Sequence, residues 1–237
     1  MIKGVLIDLG KTIVTNRIID FEKAILSIYQ ETNKTITSED FLKIHYKLYE
    51  ITFKYLRNIN NEMKITEYIN SLLDITNLKT TKTIEELEDI FQKNLVDEEL
   101  VDGVIELLQY FNLCKIPVIA VSNSCVSSRA LMKELEELNV LKYFKKVISS
   151  ADIYIRKPKK EIFDYALGQL KKITSDYTIK NDEVLFIGND YQCDVIGGKN
   201  ASLISVWFNQ EQNEDVYNLC DINVNNYKEL INILMNN

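Results

Sequence analysis

The sequence predicts an α/β fold, a doubly wound parallel-sheet (Rossmann-like) core interrupted by an inserted all-helical domain, and three observations predict it. From about residue 98 onward, helical patterns alternate with short apolar runs, of which Pro117-Val118-Ile119-Ala120-Val121 and Val184-Leu185-Phe186-Ile187 are the clearest. Such continuous apolar runs belong to strands whose two faces are both covered by helices. A run of the same kind, Val5-Leu6-Ile7, opens the chain and ends in Asp8. Between that run and the alternating region the periodicity is helical throughout.

Residues 3–8 read as a short buried strand that ends in a polar turn. Helices are then expected over 18–32, 38–58, 64–75 and 83–94; on the second, Leu42, Tyr46, Tyr49, Phe53 and Leu56 recur at helical intervals as an apolar stripe. Thr37-Ser38-Glu39-Asp40 supplies a capping oxygen and early acids at its start. The alternating region reads as helix 98–112, strand 116–121, helix 126–138, strand 145–149, helix 159–173, strand 183–187, helix 192–200 and strand 203–207. The prolines stand only at 117 and 158, so no proline-rich linker marks a boundary. Texture alone sets the division, with an α/β core at 1–13 and 98–237 and a helical domain at 14–97.

Composition removes several classes of function. A chain of 237 residues, 46% apolar and 27% charged, has enough apolar material for a substantial core, so disorder is not its main state. A net charge of −7 argues against a polyanion-binding surface, and no nucleic-acid partner is expected. The cysteines, Cys114, Cys125, Cys193 and Cys220, lack CxxC spacing and the one histidine is His45, too few ligands for a structural zinc site. Reduced thiols in a cytoplasmic protein are expected. Asp8 interrupts the first apolar run before it could form a signal-peptide core, and no run approaches the roughly 20 residues of a membrane span. No membrane partner is expected.

Ligands of open parallel sheets bind at the carboxyl ends of the strands, and polar signatures fall there repeatedly. Asp8 ends the first strand, Ser122-Asn123-Ser124 follows Val121, Arg156-Lys157-Pro158 precedes a helix, and Gly188-Asn189-Asp190 with Asp194 follows Ile187. A carboxylate, a hydroxyl beside backbone amides, a lysine and further acids are the groups that phosphoryl transfer requires. Gly10-Lys11-Thr12 imitates the end of a Walker A loop, but the motif needs a glycine where Val5 stands inside the strand. Cys125 and Cys193 lie near the same rim without a neighbouring histidine or a CxxC pattern, so a cysteine hydrolase has little support. His45 sits beside the apolar stripe and reads as a packing or surface residue.

In this order the four signatures resemble those of the haloacid dehalogenase (HAD) superfamily of hydrolases, most of which are phosphatases. The resemblance runs from Ile2 to about Phe208, and the helical insertion is similar to that family's C1-type cap. It implies that Asp8 attacks phosphorus to form an aspartyl-phosphate, that Ser122 and the amide of Asn123 bind phosphoryl oxygens, and that Lys157 neutralises charge. It also implies a magnesium ion held by Asp8, the backbone carbonyl of Gly10 and the loop containing Asn189, Asp190 and Asp194, and oxygen ligands suit magnesium. Lys11 either adds positive charge near the phosphate or points to solvent.

The chain departs from the pattern twice. Gly10 stands where the family usually has an aspartate that protonates the leaving group, and loss of such an acid/base removes a factor on the order of 10² to 10⁴ in rate. Some branches are similar to this chain in carrying Asp-Leu-Gly. Asn189 stands where the first metal-binding aspartate is usual, leaving Asp190 or Asp194 to compensate. The expected function is a magnesium-dependent phosphatase of a small phosphorylated metabolite. Two other readings stay open, a degenerate member that binds a phospho-ligand or a partner without turnover, and a carbon-halogen or carbon-phosphorus hydrolase. The sequence does not resolve monomer from homodimer.

Overall fold

The computed structural model describes residues 1–215 and 218–236. Strand β1 (Gly4–Ile7) is followed by β2 (Val14–Ile19) and then by helices α1 (Phe21–Gln30), α2 (Ser38–Tyr49), α3 (Tyr55–Asn58), α4 (Ile65–Thr76) and α5 (Ile84–Leu95). A π-helical turn at Glu50–Lys54 joins α2 to α3 without a break in the helical path. Strand β3 (Val96–Leu100) returns antiparallel to β2, so a two-stranded ribbon carries the chain into and out of the helical segment. Asp20 accepts from the Lys23 amide to cap α1, and Thr37 accepts from the Asp40 amide to cap α2. Thr83 and Glu86 form a reciprocal capping box on α5, each cap satisfying amides that the first helical turn leaves orphaned.

The rest of the chain alternates. It runs through α6 (Val104–Leu113), β4 (Val118–Ser122), α7 (Ser128–Glu137), β5 (Phe144–Ser149), α8 (Ser150–Ile153), α9 (Lys160–Thr174), β6 (Val184–Gly188), α10 (Gly197–Asn200), β7 (Ile204–Phe208), β8 (Ile222–Val224) and α11 (Tyr227–Met235). Six strands form one sheet in the order β5-β4-β1-β6-β7-β8, and every pairing is parallel. This is the α/β fold the apolar runs predict. Val5, Leu6 and Ile7 are fully buried, as are Ile119 to Val121 and Leu185 to Ile187, because helices cover both faces of the sheet.

Two of the boundary differences from the sequence reading share one cause. The helix expected at 18–32 starts at Phe21, and the helix expected at 98–112 starts at Val104, because β2 and β3 pair with each other across the long insertion. Neither strand carries a signal of its own within a local window. β8 and α11, which close the far edge of the sheet, were likewise absent from the sequence reading.

Aromatic side chains hold the helical segment together. Phe21 packs edge-on to Phe91 at 5.2 Å between ring centroids, and Phe53 meets Tyr68 at 4.9 Å. His45 belongs to this cluster, 3% exposed, with its Nδ1 2.7 Å from the Tyr68 hydroxyl. Burial lowers the His45 pKa from 6.5 to about 4, so the folded chain keeps the ring neutral where the unfolded chain protonates it. Stability from this group is therefore present above pH 6.5 and declines as pH falls toward 4. A His45→Phe variant removes that dependence. Its stability relative to the parent should shift by about 3 kcal/mol in the variant's favour between pH 7 and pH 4, read from urea unfolding; a difference that stays constant would clear His45 of the effect.

Candidate active site

The chain proceeds from β1 outward to β4 and β5, then returns to the other side of β1 to lay down β6, β7 and β8. The order reverses at β1, and a crevice opens beyond the carboxyl ends of β4, β1 and β6. Asp8 follows Ile7 there, Ser122 ends β4, and Gly188 ends β6 with Asn189 next in line. The backbone sets this convergence, since Ile7 lies beside Ala120 on one side and Ile187 on the other.

Lys157 completes the group from the loop before α9. Its Nζ donates to Asp8 Oδ1 at 2.6 Å and lies 2.7 Å from Asp194 Oδ1. Its side chain is 1% exposed, against 10% for Asp8 and 2% for Asp194. The ammonium also stands 5.2 Å above the Phe186 ring. Burial works to lower the lysine pKa, but the carboxylates of Asp194 and Asp8 outweigh it, and the ammonium stays charged above its usual range. Burial pushes Asp194 the other way, to about 7, with Lys157 opposing and the charge of Asp8 adding to the rise.

The loop after β4 holds this lysine by its backbone. The Lys157 amide donates to Asn123 Oδ1 at 2.8 Å, and Asn123 Nδ2 donates to the Lys157 carbonyl at 3.0 Å. Asn123 was singled out in the sequence for its own amide, and this use of its side chain was not read there. Asn189 accepts from the Thr12 hydroxyl at 3.4 Å, while its carbonyl accepts from Trp207 Nε1 at 3.0 Å. Asp190 turns its carboxylate onto the Cys193 amide at 2.8 Å, and its own amide donates to Asp194 Oδ2 at 2.9 Å. Asp194 reaches inward because Gly188 has no side chain; a Cβ there would stand 2.3 Å from Asp194 Cγ. Lys11 is exposed with φ 58°, outside the cluster of Asp8, Lys157 and Asp194. Thr12 and Tyr227 are further contributors, for the Tyr227 hydroxyl donates to the Thr12 carbonyl and anchors the turn after Asp8.

A cavity of about 270 Å³ lies over the crevice, and Gly10, Ser122 and Asn123 line it together with Phe21, Arg57 and Glu134. A Cβ at Gly10 would meet nothing within 4 Å, so the position that lacks an acid also has room for one. Burial pushes the Glu134 carboxyl up to about 7, with Gln92 donating a hydrogen bond to it. Burial likewise pushes the Cys125 and Cys193 thiols up to about 12, which removes both as thiolate nucleophiles. Among the described residues, no three His, Cys, Asp or Glu side chains gather as a metal cage. No helix among them is long and apolar enough to cross a membrane.

The sequence pattern of the haloacid dehalogenase-like hydrolases matches residues 2–202. The chain belongs to that family. Among curated relatives, this hydrolase is similar to pyrimidine 5'-nucleotidase YjjG of Escherichia coli, 34% identical over 34% of this chain and 33% of the relative. It is also similar to the putative HAD-hydrolase YfnB of Bacillus subtilis, 27% identical over 55% of this chain and 52% of the relative. The matched stretches thus span between a third and about half of those proteins. Among solved structures, the fold is shared with a HAD phosphatase from Thermococcus onnurineus (TM-score 0.61, 20% identity, 98% of each chain). It is shared equally with a 2-haloacid dehalogenase from Pseudomonas syringae (TM-score 0.63, 18% identity, 100% of this chain and 99% of that one). A structure of YfnB described as bound to magnesium aligns over 98% of each chain at TM-score 0.58 and 20% identity.

Lys157 separates the hydrolase's two buried acids, and its removal has a pH signature. Lys157→Met leaves Asp8 and Asp194 without their common cation, a loss of about 3–5 kcal/mol by analogy with broken buried pairs. One of the two carboxyls then binds a proton more tightly than in the unfolded chain, so stability lost at high pH returns as pH falls. Guanidinium unfolding of Lys157→Met should show the larger deficit at pH 8 and a clearly smaller one at pH 5; equal deficits would mean that the lysine acts only by packing.

Proposed function

We propose that this HAD-like hydrolase is a magnesium-dependent phosphatase of a small phosphorylated metabolite, acting through an aspartyl-phosphate on Asp8. The observation that carries the reading is the 2.6 Å bond from Lys157 Nζ to Asp8 Oδ1 at the crevice where β4, β1 and β6 end. A carboxylate fixed by a charged lysine is oriented for attack, and the same ammonium is placed to take up charge as phosphoryl oxygens approach. Ser122, at the end of β4, and the amide of Asn123 are assigned to those oxygens, with Asn123 also holding Lys157 by its backbone.

The donor set fits magnesium. It consists of oxygens only, and magnesium is commonly held by one or two carboxylates plus water and substrate phosphate rather than by a full protein cage. Asp194 Oδ1 is buried and, beyond its ion pair with Lys157, accepts no hydrogen bond of good angle. We assign the ion to Asp8, the Gly10 carbonyl, Asn189 and Asp194, and assign Asp190 to the loop that its carboxylate caps. When bound, magnesium would neutralise phosphoryl charge and fix its orientation.

The helical domain at 14–97 is read as a cap over the core at 1–13 and 98–237, with the β2–β3 ribbon at their junction. Such a cap excludes bulk water and contacts the leaving group. The name of YjjG makes pyrimidine nucleoside monophosphates one substrate class to include beside sugar phosphates and aryl phosphates. We place the protein in the cytoplasm on its unpaired cysteines.

Magnesium-supported release of phosphate from p-nitrophenyl phosphate should fall by a factor on the order of 10³ or more in Asp8→Asn, since an amide in place of the carboxylate cannot form the aspartyl-phosphate. Unchanged release in that variant sinks the reading. Ligand binding by calorimetry with no turnover on any phosphate would instead support the degenerate alternative. Gly10→Asp places a carboxyl at a position where a Cβ meets no atom within 4 Å. It should raise kcat for alkyl phosphates by about 10- to 100-fold and for p-nitrophenyl phosphate far less, because a good leaving group departs without a proton.

A further inference from the structure

The loop between α3 and α4 sends one acid into the interior. Glu62 is 1% exposed, and its Oε2 accepts from the Ser150 hydroxyl at 2.8 Å and from Arg156 Nη1. Each partner leads to the crevice. The Ser150 hydroxyl accepts from the Ser124 amide at 2.9 Å, two residues beyond Ser122. Arg156 precedes Lys157 in the chain, and Asn123 grips the Lys157 backbone from both sides. The two branches that leave Glu62 therefore converge on one loop, residues 122–124, which carries the proposed phosphate cradle.

We propose that Glu62 is a positioning residue for the reaction at Asp8, coupling the docked position of the helical segment to the geometry of the 122–124 loop and of Lys157. The inference rests on the phosphatase reading for its catalytic consequence, though the coupling itself is a property of the fold. Docking alone does not require this acid. Backbone bonds already join the segment to the core, from the Glu62 amide to the Tyr154 carbonyl at 3.2 Å, from Arg156 to Asn60 at 3.1 Å and from Ile65 to Cys125 at 2.8 Å. A buried ion pair commonly gives no more stability than well-packed apolar side chains would. What a carboxylate adds is direction, since it holds two separate loops through bonds that neither can keep once the segment moves away. The other oxygen, Glu62 Oε1, accepts no hydrogen bond and lies 4.0 Å from Nε of Arg57. Arg57 lines the cavity beside Gly10 and Ser122, which places the relay next to the space a leaving group would occupy.

The test is a double-mutant cycle on the full chain with Glu62→Gln, which keeps the shape, and Ser150→Ala. Turnover of p-nitrophenyl phosphate with magnesium and hydrogen exchange of the Ser124 amide are the two readouts. We expect Glu62→Gln to lower kcat by about 10- to 100-fold with KM changed less than about threefold, and to speed Ser124 exchange. The double variant should be slower than Glu62→Gln by less than the whole effect of Ser150→Ala alone, since Glu62 reaches the Ser124 loop partly through the Ser150 hydroxyl. Multiplying effects in the double variant, or an unaltered kcat and exchange rate accompanied only by a lower Tm, overturns the inference. If the parent releases no phosphate under any condition, the phosphatase reading falls and exchange alone decides the coupling: faster Ser124 exchange in Glu62→Gln supports it, and unchanged exchange in that variant rejects it.

Discussion

One ammonium between two carboxylates organises the crevice of this hydrolase. Lys157 Nζ lies 2.6 Å from Asp8 and 2.7 Å from Asp194, and its side chain is almost wholly enclosed. Bringing these ions out of water costs several kcal/mol per group, and only short contacts with good partners offset that cost. The surroundings are arranged to keep them short. Asn123 fixes the lysine backbone, the Asp190 amide donates to Asp194, and the bare Cα of Gly188 leaves the space Asp194 fills. One ammonium faces two carboxyl groups, so with both ionised the cluster carries a net negative charge. Such a remainder suits a site whose chemistry involves a further cation.

The same cluster explains why the sheet has to be ordered as it is. Asp8, the cradle loop and the acidic loop come from β1, β4 and β6, neighbours in the sheet yet far apart along the chain. Parallel pairing points all three carboxyl ends the same way, and the reversal of order at β1 leaves no helix crossing over the opening. The helical segment then fills the space above, held by backbone bonds and by buried acids such as Glu62 and Glu88, the latter accepting from the Ser127 amide and hydroxyl at 2.7 Å each.

Much of this was legible in the sequence because the relevant signals are local. Val5 to Ile7 and Val184 to Ile187 announce strands by apolarity alone, and Thr37 announces its helix by a capping oxygen. Asp8 and Asp194 follow strand ends, whereas Lys157 arrives from the loop before α9, and its place beside them was expected from the resemblance to a known family. What escaped notice depends on partners distant in sequence. β2 and β3 are strands only because each finds the other across the whole insertion, and the side chain of Asn123 acquires its role only when a loop from beyond β5 arrives beside it. Glu62 looks like an ordinary surface acid in its polar neighbourhood, and nothing in that stretch foretells that it is buried against Ser150 and Arg156.

The central place of β1 also bears on how the molecule is made. Its neighbour β6 ends at Gly188, and the lysine that holds Asp8 is 149 residues away in the chain. On a ribosome, β1 emerges before the other strands of the sheet, and its edge toward β6 stays unpaired through synthesis of the helical segment and of β4 and β5. Contacts between such distant segments are slow to form, and an apolar strand waiting with an open edge is open to wrong pairing. The helical insertion lengthens that wait, so the strand that carries the proposed nucleophile is also the one for which translation speed and chaperone access matter most.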